Sequence, residues 1–289
     1  MKAAAFEYFK PQTLQEAIGF LEQHGDAVQV MAGGQSLLAM MNLRLAAPQW
    51  LVDISGLTEL TGIESTGDTI RTGALVTHSQ LLASEVVARE LPLLHQAVPH
   101  VAHLAIRNRG TVGGSLALGD PAAEYPAVAL ASEAVLVLQG PQGQRRVKAI
   151  DFYQGLYAND RQPHELVVCI EWPRLRAHER VGFDELSRRR GDYAVVGVAA
   201  RLAMQGQQVS EAHVAFFSVG DTALLAKQAM AALAGQPLNA QTITQAQAAL
   251  SHDLPEQGDV HAGAATKRHL AKVLFGRVLS SMAETGGAA

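Results

Sequence analysis

A chain of 289 residues exceeds the usual size of one domain, so it predicts two domains and a large buried core. With 48% hydrophobic residues, 17% charged residues and no low-complexity run it excludes a disordered polymer, and its net charge of -4 argues against a nucleic-acid surface. The lone cysteine, Cys169, excludes an internal disulfide, a cysteine-rich zinc site and an iron-sulfur cluster held by this chain alone.

The opening residues carry only a short apolar patch before Glu7, too brief for a signal-peptide core, and no uncharged apolar run reaches spanning length. The expected location is the cytoplasm. Residues 11–26 predict a helix: Thr13 and Glu16 offer a capping box, Leu14, Ala17, Ile18 and Leu21 share one face, and Gly25 stops it. A strand over "AVQVMA" runs into Gly33-Gly34-Gln35-Ser36-Leu37. Leu38, Met41 and Leu45 then follow helical spacing as far as Pro48 and the strand "WLVDI". A glycine pair between strand and helix reads in two ways. It is a tight turn, or a backbone kept bare for an anion held by N-H groups at a helix N-terminus.

Residues 56–77 predict strands with a hairpin at Gly67-Asp68, after which Thr77 and Gln80 offer a second capping box and open a helical region containing Pro92 and Pro99. That region ends in "RNRGTVGGSLALGD", where Gly113-Gly114-Ser115-Leu116 nearly repeats the first glycine loop. Two bare loops suit two phosphates or one pyrophosphate. Neither has the lysine of a Walker loop or the spacing of a Rossmann fingerprint. The ligand these loops suit is a diphosphate held by main-chain N-H groups and by the hydroxyls of Ser36, Thr111 and Ser115.

Asp120-Pro121 predicts an N-cap and a proline at the first helical position, which sets Asp120 and Glu124 near one helix face. One of these carboxylates accepts from ribose hydroxyls, or the pair is a cap and a solvated acid. His95, His100 and His103 have no acid or cysteine at ligand spacing, so no metal is expected in this chain. A hairpin around Pro141-Gln142-Gly143 and the strand "ELVVCIEW" follow. Pro173 and the charged "RLRAHER" mark the boundary, dividing the chain into 1–175, with lobes of about 1–55 and 56–175, and 176–289. Beyond it, Arg188 to Arg190 read as an edge strand with solvated charges, and Tyr193 as a ring laid on a planar ligand or a half-buried tyrosine. Antiparallel strands and helices over 222–234, 240–250 and 266–282 complete the chain. No "GxSxG" nucleophile elbow appears, and no residue is assigned a catalytic proton-transfer role.

Taken in order, "AGGQSL" at 32–37, "IRNRGTVGGSLALGDPAAEYPA" at 106–127 and "RRRGDYAVVG" at 188–197 resemble the medium, FAD-binding subunit of molybdenum hydroxylases. That family includes the flavoprotein subunits of carbon monoxide dehydrogenase, of quinoline, nicotine and caffeine dehydrogenases, and the FAD domain of xanthine dehydrogenase. The resemblance implies an α+β fold: a two-lobed FAD-binding domain of the vanillyl-alcohol-oxidase (PCMH) type, then a C-terminal α+β domain with an antiparallel sheet and helices. It implies that Ala32, Gly33, Gly34, Gln35, Ser36 and Leu37, with Thr111, Val112, Gly113, Gly114 and Ser115, surround the FAD pyrophosphate. Glu124 matches an acidic FAD contact, and Asp192 and Tyr193 belong to the segment that approaches the isoalloxazine. The glycines are then expected to make room for phosphates.

The resemblance also implies partners: a small subunit with two 2Fe-2S clusters and a large molybdopterin subunit that hydroxylates substrate, assembled as a dimer of heterotrimers. FAD in this chain would deliver electrons to an external acceptor. Gln35 and Ser115 stand where the carbon monoxide enzymes usually show histidine and aspartate, so the expected substrate is an aromatic N-heterocycle. No lysine near Asp184 or Glu185 matches the flavin-contacting lysine of the xanthine dehydrogenase type. A free-standing flavin oxidase and a non-catalytic nucleotide-binding module are the alternatives.

Overall fold

The structure, a computed structural model, describes residues 2–284; the last five residues of the expected C-terminal domain, 285–289, lie outside these. The architecture is α+β, as expected. In the first lobe the helix Leu14–His24 begins where the Thr13 hydroxyl accepts the Glu16 N-H at 3.1 Å, and ends at Gly25 with φ 52°. The capping box is only half made, because the Glu16 carboxylate accepts from the Gln12 N-H and not from that of Thr13. Ala17, Ile18 and Leu21 bury the helix against a parallel three-stranded sheet in the order Glu7–Phe9, Trp50–Asp53, Val28–Met31.

The second lobe is an antiparallel five-stranded sheet in the order Ile63–Thr66, Thr69–Gly73, Leu166–Pro173, Val135–Gly140, Gly143–Lys148. The central strand Leu166–Pro173 is buried on both faces, so it reads as a continuous apolar run. Leu166 and Val168 turn toward the first lobe, while Val167, Ile170 and Trp172 turn to the opposite core. Cys169 lies in that strand as a buried thiol, its Sγ 3.1 Å from the Arg71 guanidinium.

The opposite core is filled by the helix Glu124–Ala131, buried at every one of its eight positions. Its other side meets a second antiparallel sheet, Glu179–Ser187, Ala194–Gln205, Gln208–Phe217 and Leu224–Leu225. The strand Ala194–Gln205 alternates: Ala194 and Ala199 face the shared core, while Val196, Val198, Ala200 and Leu202 face the helices Lys227–Leu233, Ala240–Ala249 and Ala264–Glu284. No described helix is long and apolar enough to cross a membrane.

Three expectations about elements are corrected. Asp120 does not cap a helix: its Oδ1 accepts the Ala122 N-H in a tight turn, and the helix starts at Glu124, with Pro126 tolerated in the first turn. Asp120 and Glu124 therefore share no helix face. Arg188 to Arg190 form an exposed turn after the strand Glu179–Ser187 and not an edge strand. The helix expected over 222–234 begins only at Lys227, because Leu224–Leu225 adds a short strand to the sheet edge.

Candidate functional site

A cavity of about 490 Å³ opens where the two lobes and the segment 191–193 meet, within the usual size of a small-molecule site. One wall is the turn after the strand Val28–Met31. Residues Ala32, Gly33, Gly34, Gln35, Ser36 and Leu37 all line it, Leu37 as the first residue of the helix Leu37–Asn42. Among the described residues, the backbone N-H groups of 33–36 donate to no protein acceptor. The Gln35 side chain braces this turn by donating to the Gly33 carbonyl at 3.0 Å. Unspent N-H groups beside a cavity are what an anionic ligand requires.

The facing wall was expected to be a second bare loop. It is the start of a helix, Val112–Leu118, with Thr111 as N-cap. Thr111, Gly113, Gly114 and Ser115 line the cavity, but the amides here are already used: Val112 N-H donates to the Val76 carbonyl, Gly113 N-H to the Ala74 carbonyl, and Gly114 N-H to the Thr111 hydroxyl. Val112 is a correction. Its side chain is fully buried in the core behind the helix and does not reach the cavity.

Gly33 and Gly113 are also bare because they are closely packed. A Cβ on Gly33 would overlap the carbonyl of Arg109, and one on Gly113 would overlap Ala74. The bare backbone lets the walls touch one another. The room for a ligand lies beside that contact.

Glu124, Asp120, Asp192 and Tyr193 also line the cavity. Glu124 is 9% exposed, and burial together with the charges of Glu185 and Asp120 pushes its carboxyl up to about 8. Tyr193 is exposed at the rim, and the Asp192 carboxylate accepts the Tyr193 N-H at 3.0 Å. Two further lining residues carry no mark in the sequence. His78, hidden as the first residue of the capped helix His78–Ala83, is buried with Nδ1 2.9 Å from the Tyr125 hydroxyl, and burial pulls its pKa down to about 4, so the ring is neutral. Arg161 lines the cavity from a loop, donating to the carbonyls of Gln162 and Glu165, and burial lowers its pKa.

The three histidines weighed for a metal are not brought together as a ligand set. His95 Nε2 lies 3.2 Å from the Leu82 carbonyl, His100 Nδ1 lies 3.3 Å from Glu185, and His103 lines the cavity wall. The wall near His103 is held by Arg107, which donates to the carbonyls of Val101 and Ala102 at 3.0 and 2.7 Å.

Two family models match successive parts of the chain. A family described as the FAD binding domain in molybdopterin dehydrogenase matches residues 4–175, and one described as the CO dehydrogenase flavoprotein C-terminal domain matches residues 182–282. The chain is 34% identical over 281 residues to the 6-hydroxypseudooxynicotine dehydrogenase complex subunit alpha of Paenarthrobacter nicotinovorans, covering 97% of this chain and 95% of that one. A solved carbon monoxide dehydrogenase from Hydrogenophaga pseudoflava, lacking the Mo-pyranopterin moiety of its cofactor, superimposes with a TM-score of 0.95 at 36% identity, covering 98% of each chain. Quinoline 2-oxidoreductase from Pseudomonas putida 86 gives 0.92 at 37% identity, covering 99% of each.

Proposed function

The chain belongs to the FAD-binding subunits of the molybdenum hydroxylase family, and from that premise we propose that it takes electrons from the 2Fe-2S clusters of a partner subunit and passes them through FAD to an external acceptor. One observation carries the reading toward this chain's own residues. The cavity joins a turn with unspent N-H groups at 33–36 to a buried, unpaired carboxyl at Glu124, a donor set and a polar contact that fit a dinucleotide with a flavin at one end.

When bound, FAD supplies the redox chemistry, and the protein supplies position and electrostatics. In this reading Ala32 to Leu37 hold the diphosphate through their amides. Thr111, Gly113, Gly114 and Ser115 form the opposite wall, contributing the Ser115 hydroxyl and no spare helix amides. Asp192 and Tyr193 stand at the flavin end with Glu124, Tyr193 limiting access from solvent.

The partners in this proposal are a small iron-sulfur subunit and a large molybdenum-binding subunit, arranged as a dimer of heterotrimers in the cytoplasm. The domains are 1–175 and 176–289. The substrate class, an aromatic N-heterocycle, rests on Gln35 and Ser115. Overall identity does not choose it, being 36% to the carbon monoxide enzyme and 37% to the quinoline enzyme.

The test is a visible spectrum of the chain purified with and without co-expressed neighbours, followed by anaerobic addition of N-heterocycles. The expected result is stoichiometric FAD that bleaches only when both partner subunits are present. Bleaching in the isolated chain would make it a self-sufficient oxidase, and no flavin in any preparation would end the cofactor reading.

A further inference from the structure

The cavity contains an acid that no cation neutralises. Among the described residues, the Glu124 carboxyl has no ion-pair partner and no side-chain hydrogen bond, and the one donor on it is its own backbone N-H. The charge that acts on it most is that of Glu185, from the strand Glu179–Ser187. The Glu185 side chain is 2% exposed, its Oε1 lies 3.3 Å from His100 Nδ1, and its Oε2 is buried without a partner.

The remaining groups around Glu124 do not supply a counter-charge. Asp120 adds a second negative charge, His78 is neutral, and the Arg107 guanidinium acts on His78 and Tyr125 while donating to backbone carbonyls. Arg161, His103, Asp192 and Tyr193 share the cavity, but none forms a pair with Glu124. A carboxyl at low exposure that lines the cavity, with a second acid acting on it and no cation or side-chain donor to hold its charge, is favoured in its neutral form.

We propose that Glu124 meets the cofactor as a neutral carboxylic acid, donating its proton in a hydrogen bond to an acceptor atom of FAD. This rests on the FAD reading of the cavity. A carboxylate in the same place would present only acceptors and a charge of the same sign as the diphosphate.

Protonation and FAD affinity are then linked. Binding favours the protonated acid, so affinity is full below the pKa of Glu124 and falls as pH rises through it, by on the order of tenfold per pH unit above the midpoint. The experiment is titration of FAD into flavin-stripped full-length chain, followed by fluorescence quenching at pH 6 to 9. The expected result is a constant dissociation constant at the acid end and a rise of about one decade per unit beyond a midpoint near or above 8. Glu124→Gln, which donates at every pH, is expected to bind FAD with no such slope. Glu185→Gln removes the neighbouring charge and is expected to move the midpoint to lower pH. A wild-type affinity that is flat across the range, or a slope that survives in Glu124→Gln, overturns the proposal. No FAD uptake at any pH overturns the cofactor reading with it.

Discussion

Gly33 has no space for a side chain because the Arg109 carbonyl already occupies the position a Cβ would take. Replacing it with alanine forces the two cavity walls apart. Gly33→Ala is expected to lower stability by about 1–3 kcal/mol, the usual cost of overpacking, and to reduce bound FAD in the purified chain. Gly19 provides the contrast, since it lies exposed within the helix Leu14–His24 and a Cβ there meets nothing within 4 Å. Gly19→Ala is expected to gain about 0.5–1 kcal/mol. Thermal unfolding of the two variants measures both, and equal midpoints would contradict the contact argument. At this scale the sequence marked the right positions and hid their cause. Gly33 and Gly113 stood out by type, yet what they accommodate is backbone 70 or more residues away for Gly33 and the Ala74 segment for Gly113, contacts that only the folded chain creates. His78 and Arg161 had no such mark, because a helix-opening histidine and a loop arginine look alike whether or not a cavity lies beside them.

Between elements, the strands Glu179–Ser187 and Ala194–Gln205 are joined by a buried ion pair in which Arg201 donates to Glu179 at 2.6 Å and also to the Ser132 carbonyl just past the buried helix. Burial by itself would raise the Glu179 pKa, but the hydrogen bonds from Arg201 and the Arg176 N-H outweigh it, and the net shift is downward. A lowered folded pKa contributes stability above the unfolded value of about 4.3 and loses it as pH falls toward the folded value. Glu179→Gln is therefore expected to cost about 1.5–3 kcal/mol at neutral pH, by removing the charge-assisted bond and leaving the buried Arg201 only the exposed Glu133 at 3.7 Å, and to show a shallower loss of stability below pH 4.5 than the wild type. Denaturant unfolding across pH 3 to 7 distinguishes this from an uncoupled surface pair. Elements were legible where local chemistry decides them: Thr77 and Gln80 form the full capping box that their spacing predicts. They were misread where a turn competes with a cap, as at Asp120, whose side chain bonds two residues ahead and so delays the helix.

For the molecule as a whole, the core does not respect the boundary near residue 175. Trp172 and Leu136 of the five-stranded sheet share one apolar cluster with Ala199, Ala215 and Phe217 of the following sheet, and the helix Glu124–Ala131 is enclosed between them. The described chain from the second lobe onward is expected to unfold as one cooperative unit. Calorimetry should give a single main transition for that unit, with calorimetric and van't Hoff enthalpies in agreement; two well-separated transitions divided near residue 175 would refute it. The two-domain outline was legible from length and from the charged break after Pro173, and the α+β class from the family resemblance. The shared core was not, since burial on every face leaves the segment 124–131 without the periodicity that tells which partners cover it.

The enclosed helix also sets an order of events during synthesis. Glu124 opens that helix, and the helix is covered only once the strand Gln208–Phe217 has emerged. The glycine turn at 33–36 emerges long before its cavity has a far wall. A ligand that needs both walls therefore finds its cavity complete only after the chain through Tyr193 has emerged and folded.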